Sequence, residues 1–181
     1  ESLVTSRLKS KFGLTSGRVF ARKTNVQKID LARAKAFIKS HHLLQWGGGQ
    51  IAFALVLDEE IIGVAVFSKP RNMVYENPPF YSAVLIRFAC QMGLSVVGGL
   101  DKLLQHYFKT YAVKEIFTYI DNDWSDGSSF EKVGFEKISH TGPLYFEIDP
   151  LTLERKKAVS EHAEQTIKSS GSIKMKLSLN S

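Results

Sequence analysis

The sequence is poor in cysteine, tryptophan and proline, and it contains no long apolar run. Its single cysteine, Cys90, cannot form a disulfide within the chain, which fits a reducing compartment and predicts a cytoplasmic location. No stretch reaches the roughly 18 consecutive apolar residues of a membrane-spanning helix, so we expect no membrane partner. The first residues lack a charged flank followed by an apolar segment, and no signal peptide is predicted.

What the chain does have is the composition of a globular protein. Of its 181 residues, 44 % are hydrophobic and 23 % are charged, which excludes a wholly disordered, collagenous or coiled-coil chain. This length suits one domain with a sizeable core, with or without tails.

Positive charge is concentrated at the two ends of the chain. The formal net charge is +6, yet residues 1–30 hold 7 basic and 2 acidic side chains, and residues 150–181 hold 6 and 3. The middle, residues 31–149, holds 11 basic and 13 acidic side chains. A basic total favours nucleic acid as a partner, but such contact is expected from the ends and not from the body of the chain.

Hydrophobic periodicity predicts one α/β domain with a mixed sheet. Asp30 is the expected N-cap of a first helix, and two apolar runs joined by a short acidic turn predict a hairpin. From residue 100, apolar side chains recur at the spacing of an amphipathic helix. The predicted elements are strands at 18–22, 51–57, 61–67, 82–90, 115–120, 135–138 and 144–148, helices at 30–42 and 100–111, and a short helix at 126–133 capped by Asp126.

The ends of the chain differ from its body. Residues 1–17 are mixed and polar, and we interpret them as an N-terminal extension without predicted structure. Residues 149–181 are basic, polar and free of aromatic side chains, and we interpret them as a C-terminal tail with one helix predicted near residues 153–168. The predicted domain therefore spans residues 18–148.

A glycine pair, Gly98 and Gly99, stands between a predicted strand and the helix that follows. Glycine allows the backbone close to a bulky anion, and the first N–H groups of a helix point toward it. One interpretation is therefore a phosphate site, and the other is a tight strand-to-helix turn. The segment is not a Walker loop, since no Gly-Lys-Ser/Thr follows, and it lacks the third glycine of a dinucleotide fingerprint.

A second segment supplies a family resemblance. A strand ending near Asn122, a short helix and the sequence FEKVGF at residues 130–135 resemble the last motif of the GNAT superfamily of acyl-CoA-dependent N-acyltransferases. The resemblance covers roughly residues 18–148. Within the superfamily the chain is most similar to a branch of phage and mobile-element proteins, with a Val-Val-Gly-Gly turn and a later Asp, Trp, Ser and Gly. The Mom-type DNA-modification proteins of phages are distant relatives of that branch.

The resemblance implies a single GNAT-like domain with a mixed, mostly antiparallel sheet flanked by helices, and transfer of an acyl group from acetyl-CoA or another acyl-CoA to an amine. The acyl-CoA would lie between the 82–90 and 115–120 strands, with its pyrophosphate on the loop at 95–100. The implied cofactor-binding residues are Leu85, Ile86, Arg87, Phe88, Val97, Gly98, Gly99, Leu100, Asn122 and Phe130.

The chain departs from the family pattern at three positions. The phosphate loop of the family usually begins with Arg or Gln and has Gly or Ala two residues after its main glycine, whereas this chain has Ser95 and Leu100. The family's tyrosine, which often protonates the departing thiolate, falls on Phe130, which has no hydroxyl. These departures imply fewer phosphate donors and a different proton source.

Acyl transfer to an amine needs a base, donors for the carbonyl oxygen and a proton for the thiolate. Backbone N–H groups of residues 85–88 would be the donors. Asp121, with Asp123 and Glu59, is a carboxylate near the inferred cleft, and Tyr119, Ser125 and Cys90 could supply the proton. The predicted catalytic set is Asp121, Ser125 and Tyr119.

The remaining titratable residues form no metal pattern. A calcium loop from Asp121 would need Gly at position six and Glu at position twelve, where the chain has Asp126 and Lys132, so no metal site is predicted.

His41 and His42 end a predicted helix, where the helix dipole favours the charged imidazolium, and a substrate contact is the weaker interpretation. Arg87, alone in an apolar strand, must be paired or face the cleft.

Two functions therefore compete. The first is an acyltransferase acting on an amine of a small molecule, a protein or a nucleic-acid base. The second is a nucleic-acid-associated or DNA-base-modifying protein that keeps the fold, with or without acetyltransferase activity, and docks on phosphate through its basic ends. The glycine turn and Asn122 favour the first, and the missing tyrosine and depleted loop favour the second. The oligomeric state is not predicted.

Overall fold

A computed structural model describes residues 2–44, 46–74, 76–149, 151, 155–158 and 166–179, with only the backbone of 155–157. These residues fall into two compact units, one of residues 2–116 with Ser178 and Leu179 and one of Phe117–Leu177. The elements of the first unit are α1 (Leu3–Lys11), β1 (Gly17–Phe20), a short 3-10 helix (Ala21–Lys23), β2 (Asn25–Ile29), α2 (Leu31–His41), β3 (Ile51–Leu57), β4 (Glu60–Phe67), β5 (Arg71–Met73), β6 (Phe80–Cys90), β7 (Leu94–Val97) and α3 (Gly99–Tyr111).

An antiparallel sheet in the order β2-β3-β4-β6 is the frame of the first unit, and β5 pairs with β6. Asp58 and Glu59 connect β3 to β4, and both have positive φ angles, as a tight two-residue hairpin turn requires. The hairpin predicted from the two apolar runs is confirmed. Those runs lack alternation because both faces of the sheet are covered, so nearly every residue of β3 and β4 is buried.

Helix α2 covers one face of this sheet. Asp30 caps it as predicted, its Oδ1 accepting from Arg33 N at 2.8 Å. Ala34 and Ile38 are fully buried in a cluster with residues of β2, β3, β4 and β6. The apolar stripe of α2 therefore forms one of the two cores of this unit.

Helix α3 forms the other core. Leu103, Leu104 and Tyr107, which share its apolar face, are fully buried. The Tyr107 ring stacks on Phe67 of β4 at 4.1 Å, and its hydroxyl donates to the Ser68 carbonyl at 2.9 Å. The amphipathic helix predicted from residue 100 is confirmed.

The N-terminal part of the chain has more structure than its sequence predicts. Ser2 caps α1, its Oγ accepting from Thr5 N, although no structure was expected there. The strand predicted from residue 18 is confirmed as β1, and it pairs in parallel with β7 from Gly17 opposite Leu94 to Phe20 opposite Val97. The loop expected at 95–100 is a strand over its first three residues, which belong to β7. They form a strand because β1, distant in sequence, provides a backbone partner for a β-branched pair.

The second unit contains β8 (Glu115–Asp121), which begins in the first unit, then α4 (Ser128–Glu131), β9 (Glu136–Thr141), β10 (Tyr145–Ile148), β11 (Arg155–Lys157), β12 (Thr166–Lys168) and β13 (Ser172–Ser178). Strand β13 lies between β8 and β9, and β10 pairs with both β11 and β12. The strands predicted over 115–120, 135–138 and 144–148 are confirmed with shifted ends.

Two predictions for the second unit are wrong. Residues 155–157 and 166–168 are strands, not parts of a helix, because they pair with the two edges of β10. The residues between 158 and 166 lie outside the described residues. Helix α4 begins after Gly127, which has a φ of 83°, while Asp126 Oδ1 accepts from Ser128 N at 3.0 Å. Asp126 is therefore not the N-cap.

The mixed α/β architecture with a mostly antiparallel sheet flanked by helices is confirmed. The boundaries at residues 17/18 and 148/149 stay predictions, although Ile173 and Met175 of the predicted tail are buried in the second unit. Over the described ranges, no helix combines the length and the apolar character needed to cross a membrane.

Candidate active site

The turn between β7 and α3 requires both of its glycines. Gly98 has a φ of 75°, a conformation that side chains oppose. A Cβ on Gly99 would lie 3.0 Å from Leu55 Cδ1 and 3.1 Å from Val96 Cγ1, closer than packed carbons normally approach. The interpretation as a tight strand-to-helix turn is therefore correct as far as local structure goes.

The same turn leaves backbone donors for an anion. The first hydrogen bond within α3 runs from Lys102 N to the Gly98 carbonyl at 3.0 Å. The N–H groups of Gly99, Leu100 and Asp101 consequently have no acceptor within the helix. Asp101 places a carboxylate in this first turn, which stabilises the free helix and opposes a bound anion.

Strand β6 carries a bulge at the predicted acyl-CoA segment. Its register with β4 runs Val66 opposite Arg87 and then Phe67 opposite Leu85, so Ile86 has no residue opposite it. Arg87 Nη1 donates to the Ile86 carbonyl at 2.8 Å. Leu85 is buried, whereas Ile86, Arg87 and Phe88 are half-buried. The bulge thus changes which way the backbone groups of this segment point.

A run of three glycines, Gly47 to Gly49, lies against this bulge. A Cβ on Gly47 would lie 2.7 Å from the guanidinium carbon of Arg87, and one on Gly49 would overlap Val66. Gly49 also has a φ of 124°. Glycine is needed at position 49, because the backbone there passes directly over Val66 of β4 and has a positive φ, whereas the Arg87 side chain beside Gly47 is flexible. The signal in the sequence was the run of three glycines itself.

His41 and His42 are held by backbone groups, and burial disfavours the charged form of both imidazoles. Burial lowers the pKa of His42 to about 4, although its contact with the Leu44 backbone opposes the shift. Leu44 N donates to His42 Nδ1 at 3.0 Å, and Met92 N donates to His41 Nδ1 at 3.1 Å. Burial also lowers the pKa of His41. Burial outweighs the helix dipole, so the expected imidazolium is not favoured.

In the second unit, Asp121 bonds within its own turn, and Asn122 connects the end of β8 to the segment before β13. Asp121 Oδ1 accepts from Asp123 N at 2.9 Å at the end of β8. Asn122 Nδ2 donates to the Ser170 carbonyl at 3.0 Å, and its backbone N donates to the Gly171 carbonyl at 3.1 Å. The Asn122 amide is therefore engaged in ordering the chain before β13.

The remaining predicted residues differ in what their side chains offer. Ser125 Oγ accepts from Gly127 N at 3.2 Å and keeps its own proton to donate. The Tyr119 side chain is 51 % exposed on β8. The Phe130 ring packs edge-on against Phe135, with centroids 5.5 Å apart. Burial raises the pKa of the Cys90 thiol to about 11, so it is not a thiolate nucleophile at neutral pH.

Neither a protein-family model nor a curated protein matches the sequence. Three solved structures illustrate what the fold resembles. An acetyltransferase from Bacillus subtilis in complex with CoA has a TM-score of 0.51 at 12% identity, with 87% of this chain and 100% of that chain covered. The ribosomal-protein-S18-alanine N-acetyltransferase from Escherichia coli gives 0.53 at 15% identity, covering 87% and 95%. Arabidopsis thaliana Naa50 with the bisubstrate analogue CoA-Ac-MVNAL gives 0.56 at 10% identity, covering 87% and 99%.

The chain has the GNAT fold.

Within this GNAT fold the predicted cofactor residues divide between the two units. The bulged segment of β6 and the glycine turn before α3 both belong to the first unit, while Asn122 and Phe130 belong to the second. Leu55 links the turn to the sheet, since a Cβ on Gly99 or on Gly63 would contact its Cδ1.

Among the described residues, no group of three His, Cys, Asp or Glu side chains is arranged to hold a metal ion.

Proposed function

We propose that the protein is an N-acyltransferase that moves an acyl group from acyl-CoA to an amine. The observation that carries this proposal is the glycine turn before α3, with its three N–H groups free of helical acceptors, in a chain of the GNAT fold. Solved structures of this fold include one in complex with CoA and one with an analogue joining CoA to a peptide.

The pyrophosphate of the acyl-CoA binds at the start of α3. The N–H groups of Gly99, Leu100 and Asp101 point out of the helix end, where its dipole favours negative charge. Gly98 contributes by having no side chain above this position. Val97, the last residue of β7, orients the turn through its pairing opposite Phe20.

The thioester lies along β6. A tetrahedral intermediate needs N–H donors aimed at the oxygen on which charge builds. The bulge in the pairing of β6 with β4 leaves Ile86 without a residue opposite it, and we place the oxyanion beside this bulge, with its N–H donors drawn from the predicted segment of residues 85–88. Arg87 is placed on the same segment, and its guanidinium holds the local backbone through the Ile86 carbonyl.

Proton transfer is assigned to the predicted catalytic residues. Asp121 is the proposed base for the amine, acting directly or through water. Because Phe130 has no hydroxyl, the proton for the leaving thiolate comes from Tyr119 or Ser125. In this scheme Asp121→Asn lowers kcat, and so does whichever of Tyr119→Phe and Ser125→Ala removes the proton donor, while the affinity for acetyl-CoA is unchanged. A wild-type kcat in Asp121→Asn, or in both of the other variants, would contradict the assignment.

The first test is titration calorimetry with acetyl-CoA, followed by detection of released CoA thiol with a panel of amines. The panel contains peptides with free N-terminal Ala or Met, together with polyamines and aminated nucleosides. The peptides are included because one similar structure is a ribosomal-protein-S18-alanine N-acetyltransferase and another binds the bisubstrate analogue CoA-Ac-MVNAL. Binding of acetyl-CoA and acceptor-dependent thiol release are expected. No binding at millimolar acetyl-CoA would contradict the proposed function.

A second candidate function, binding to nucleic acid, is favoured by one surface of the second unit. Lys174 Nζ of β13 lies 4.8 Å from the centroid of the Phe117 ring on β8, and Tyr119 on the same strand is half-exposed. Aromatic rings beside amines suit stacking on bases and contact with phosphate. The phage branch, the DNA-modification role and the cytoplasmic location stay predictions.

The nucleic-acid candidate is tested by measuring oligonucleotide affinity against salt concentration. Deleting residues 150–181 is unsuitable because it removes the buried Ile173 and Met175. Lys174→Gln is the better variant, with the exposed Lys137→Gln of β9 as its control. Weaker binding and a smaller salt slope for Lys174→Gln alone would support this candidate, and unchanged binding would exclude this surface.

A further inference from the structure

Two arginines flank an exposed phenylalanine where β1 meets the 3-10 helix. The guanidinium carbon of Arg18 lies 5.4 Å from the Phe20 ring centroid, and that of Arg22 lies 5.1 Å from it. Phe20 is 41 % exposed and both arginines are exposed. Within the described part of the chain, no carboxylate is in ion-pair distance of either guanidinium. The ring therefore orients two cations that retain their charge for another partner.

This Arg18–Phe20–Arg22 cluster borders the glycine turn. The parallel register places Phe20 opposite Val97, directly before Gly98. A Cβ on Gly98 would lie 3.8 Å from the Cβ of Ala21, the residue between Phe20 and Arg22. Each contact lies within the first unit, so the cluster and the start of α3 belong to one packed region.

The Arg18–Phe20–Arg22 cluster also provides the positive charge that the glycine turn lacks. Arg18 lies opposite Ser95, at the start of the 95–100 segment, which has no basic side chain of its own. Asp101 puts a negative charge in the first turn of α3, so the backbone donors there act against a nearby carboxylate. A polyanionic ligand at this turn needs a source of positive charge, and β1 with the 3-10 helix supplies it.

We propose that the Arg18–Phe20–Arg22 cluster binds the 3′-phosphorylated adenosine end of acyl-CoA, an inference that rests on the proposed function. The guanidinium fork matches a phosphate bidentately, and guanidinium and phenyl planes stack on a purine. The α3 turn binds the pyrophosphate, and the cluster binds the adenine and the 3′-phosphate. Strand β1 and the 3-10 helix thus bind the nucleotide end of the cosubstrate.

The test compares three ligands by calorimetry: acetyl-CoA, acetyl-dephospho-CoA without the 3′-phosphate, and acetyl-pantetheine without the nucleotide. We expect Arg18→Gln and Arg22→Gln each to weaken acetyl-CoA binding about tenfold at low salt, and less at high salt, as loss of an exposed charge-assisted contact predicts. Phe20→Leu keeps both positive charges but removes the ring that orients the two guanidinium groups. It should weaken acetyl-CoA binding by a smaller factor than either arginine substitution. Arg33→Gln, an exposed arginine on α2, is the matched control and should leave binding unchanged.

Comparison of the ligands separates this inference from the proposed function. For acetyl-dephospho-CoA, the double variant R18Q/R22Q should lose much less affinity than for acetyl-CoA, because the phosphate that the arginines bind is absent. Equal binding of acetyl-CoA by the wild type and this variant, with both folded by circular dichroism, would overturn the inference and leave the proposed function standing. So would equal affinity of the wild type for acetyl-CoA and acetyl-dephospho-CoA. Failure of the wild type to bind any of the three ligands would overturn both.

Discussion

The ammonium group of Lys102, in the first turn of α3, donates to the carbonyl oxygen of Ala21 at 2.8 Å. The same group also contacts the Thr24 carbonyl. Thr24 Oγ1 in turn donates to the Ala21 carbonyl at 2.8 Å, and Thr24 is buried. One side chain therefore joins the 3-10 helix to the beginning of α3. This connection holds the segment that carries Arg22 beside the glycine turn.

Lys102→Met is expected to destabilise the protein because it leaves two backbone carbonyls without this donor. Loss of a charge-assisted hydrogen bond predicts a decrease of about 1–2 kcal/mol in the free energy of unfolding, measured by urea denaturation. Lys109→Met, at an exposed position in the last turn of the same helix, is the control. Equal effects of the two substitutions would contradict the role given to Lys102.

Gly98→Ala is expected to weaken acetyl-CoA binding beyond its effect on stability. Its φ of 75° imposes a strain of about 1 kcal/mol on alanine, and the new methyl group would lie 3.8 Å from the Cβ of Ala21, at the turn where we propose that the phosphate binds. Gly13→Ala, at a φ of 72° with open space around it, has similar strain away from the turn. The expected result is similar unfolding free energies for both variants and weaker binding for Gly98→Ala alone. Similar affinities of the two variants for acetyl-CoA would contradict the placement of the pyrophosphate at this turn.

His42 makes stability depend on pH between about 4 and the ordinary histidine value of 6.5. In that window the unfolded chain binds the proton more readily than the folded chain, so stability rises with pH and is lost on acidification. The difference corresponds to a contribution on the order of 3 kcal/mol. His42→Gln should flatten the unfolding free energy between pH 4 and 6.5, while the exposed His140→Gln serves as the control. An unchanged slope in His42→Gln would refute the burial of a neutral imidazole.

Cys90 should react slowly with thiol reagents in the folded protein. Burial raises the pKa of its thiol to about 11, and a hydrogen bond with the Val96 backbone lowers it by a smaller amount. At pH 8 the thiolate fraction is therefore small, and we expect modification by a disulfide reagent to be far slower in the native state than in urea. Cys90→Ala should retain acyl transfer. Rapid labelling of the native protein, or loss of activity in Cys90→Ala, would return Cys90 to the catalytic candidates.

Elements specified by local pattern were predicted correctly. The β3–β4 hairpin follows from two apolar runs around a turn, and α2 follows from the Asp30 cap and an apolar stripe. The buried face of α3 also follows from spacing alone. For the candidate site, the sequence pattern pointed to the Gly98–Gly99 turn because a glycine pair leaves a visible signal, and the 85–88 segment was implied by the resemblance to the family. The roles given to Asp121, Ser125 and Tyr119 stay predictions.

By itself, then, the sequence determined the α/β class, the glycine turn and the covered hairpin, since these depend on contacts between near neighbours. Only the tertiary structure decided the pairing of β1 with β7 and the short strands on β10, because such pairing depends on a partner far along the chain. It also decided that Arg18 and Arg22 lie on one ring beside Gly98. The basic N-terminal segment looked like a diffuse surplus of charge, and folding concentrates part of that charge at the start of α3.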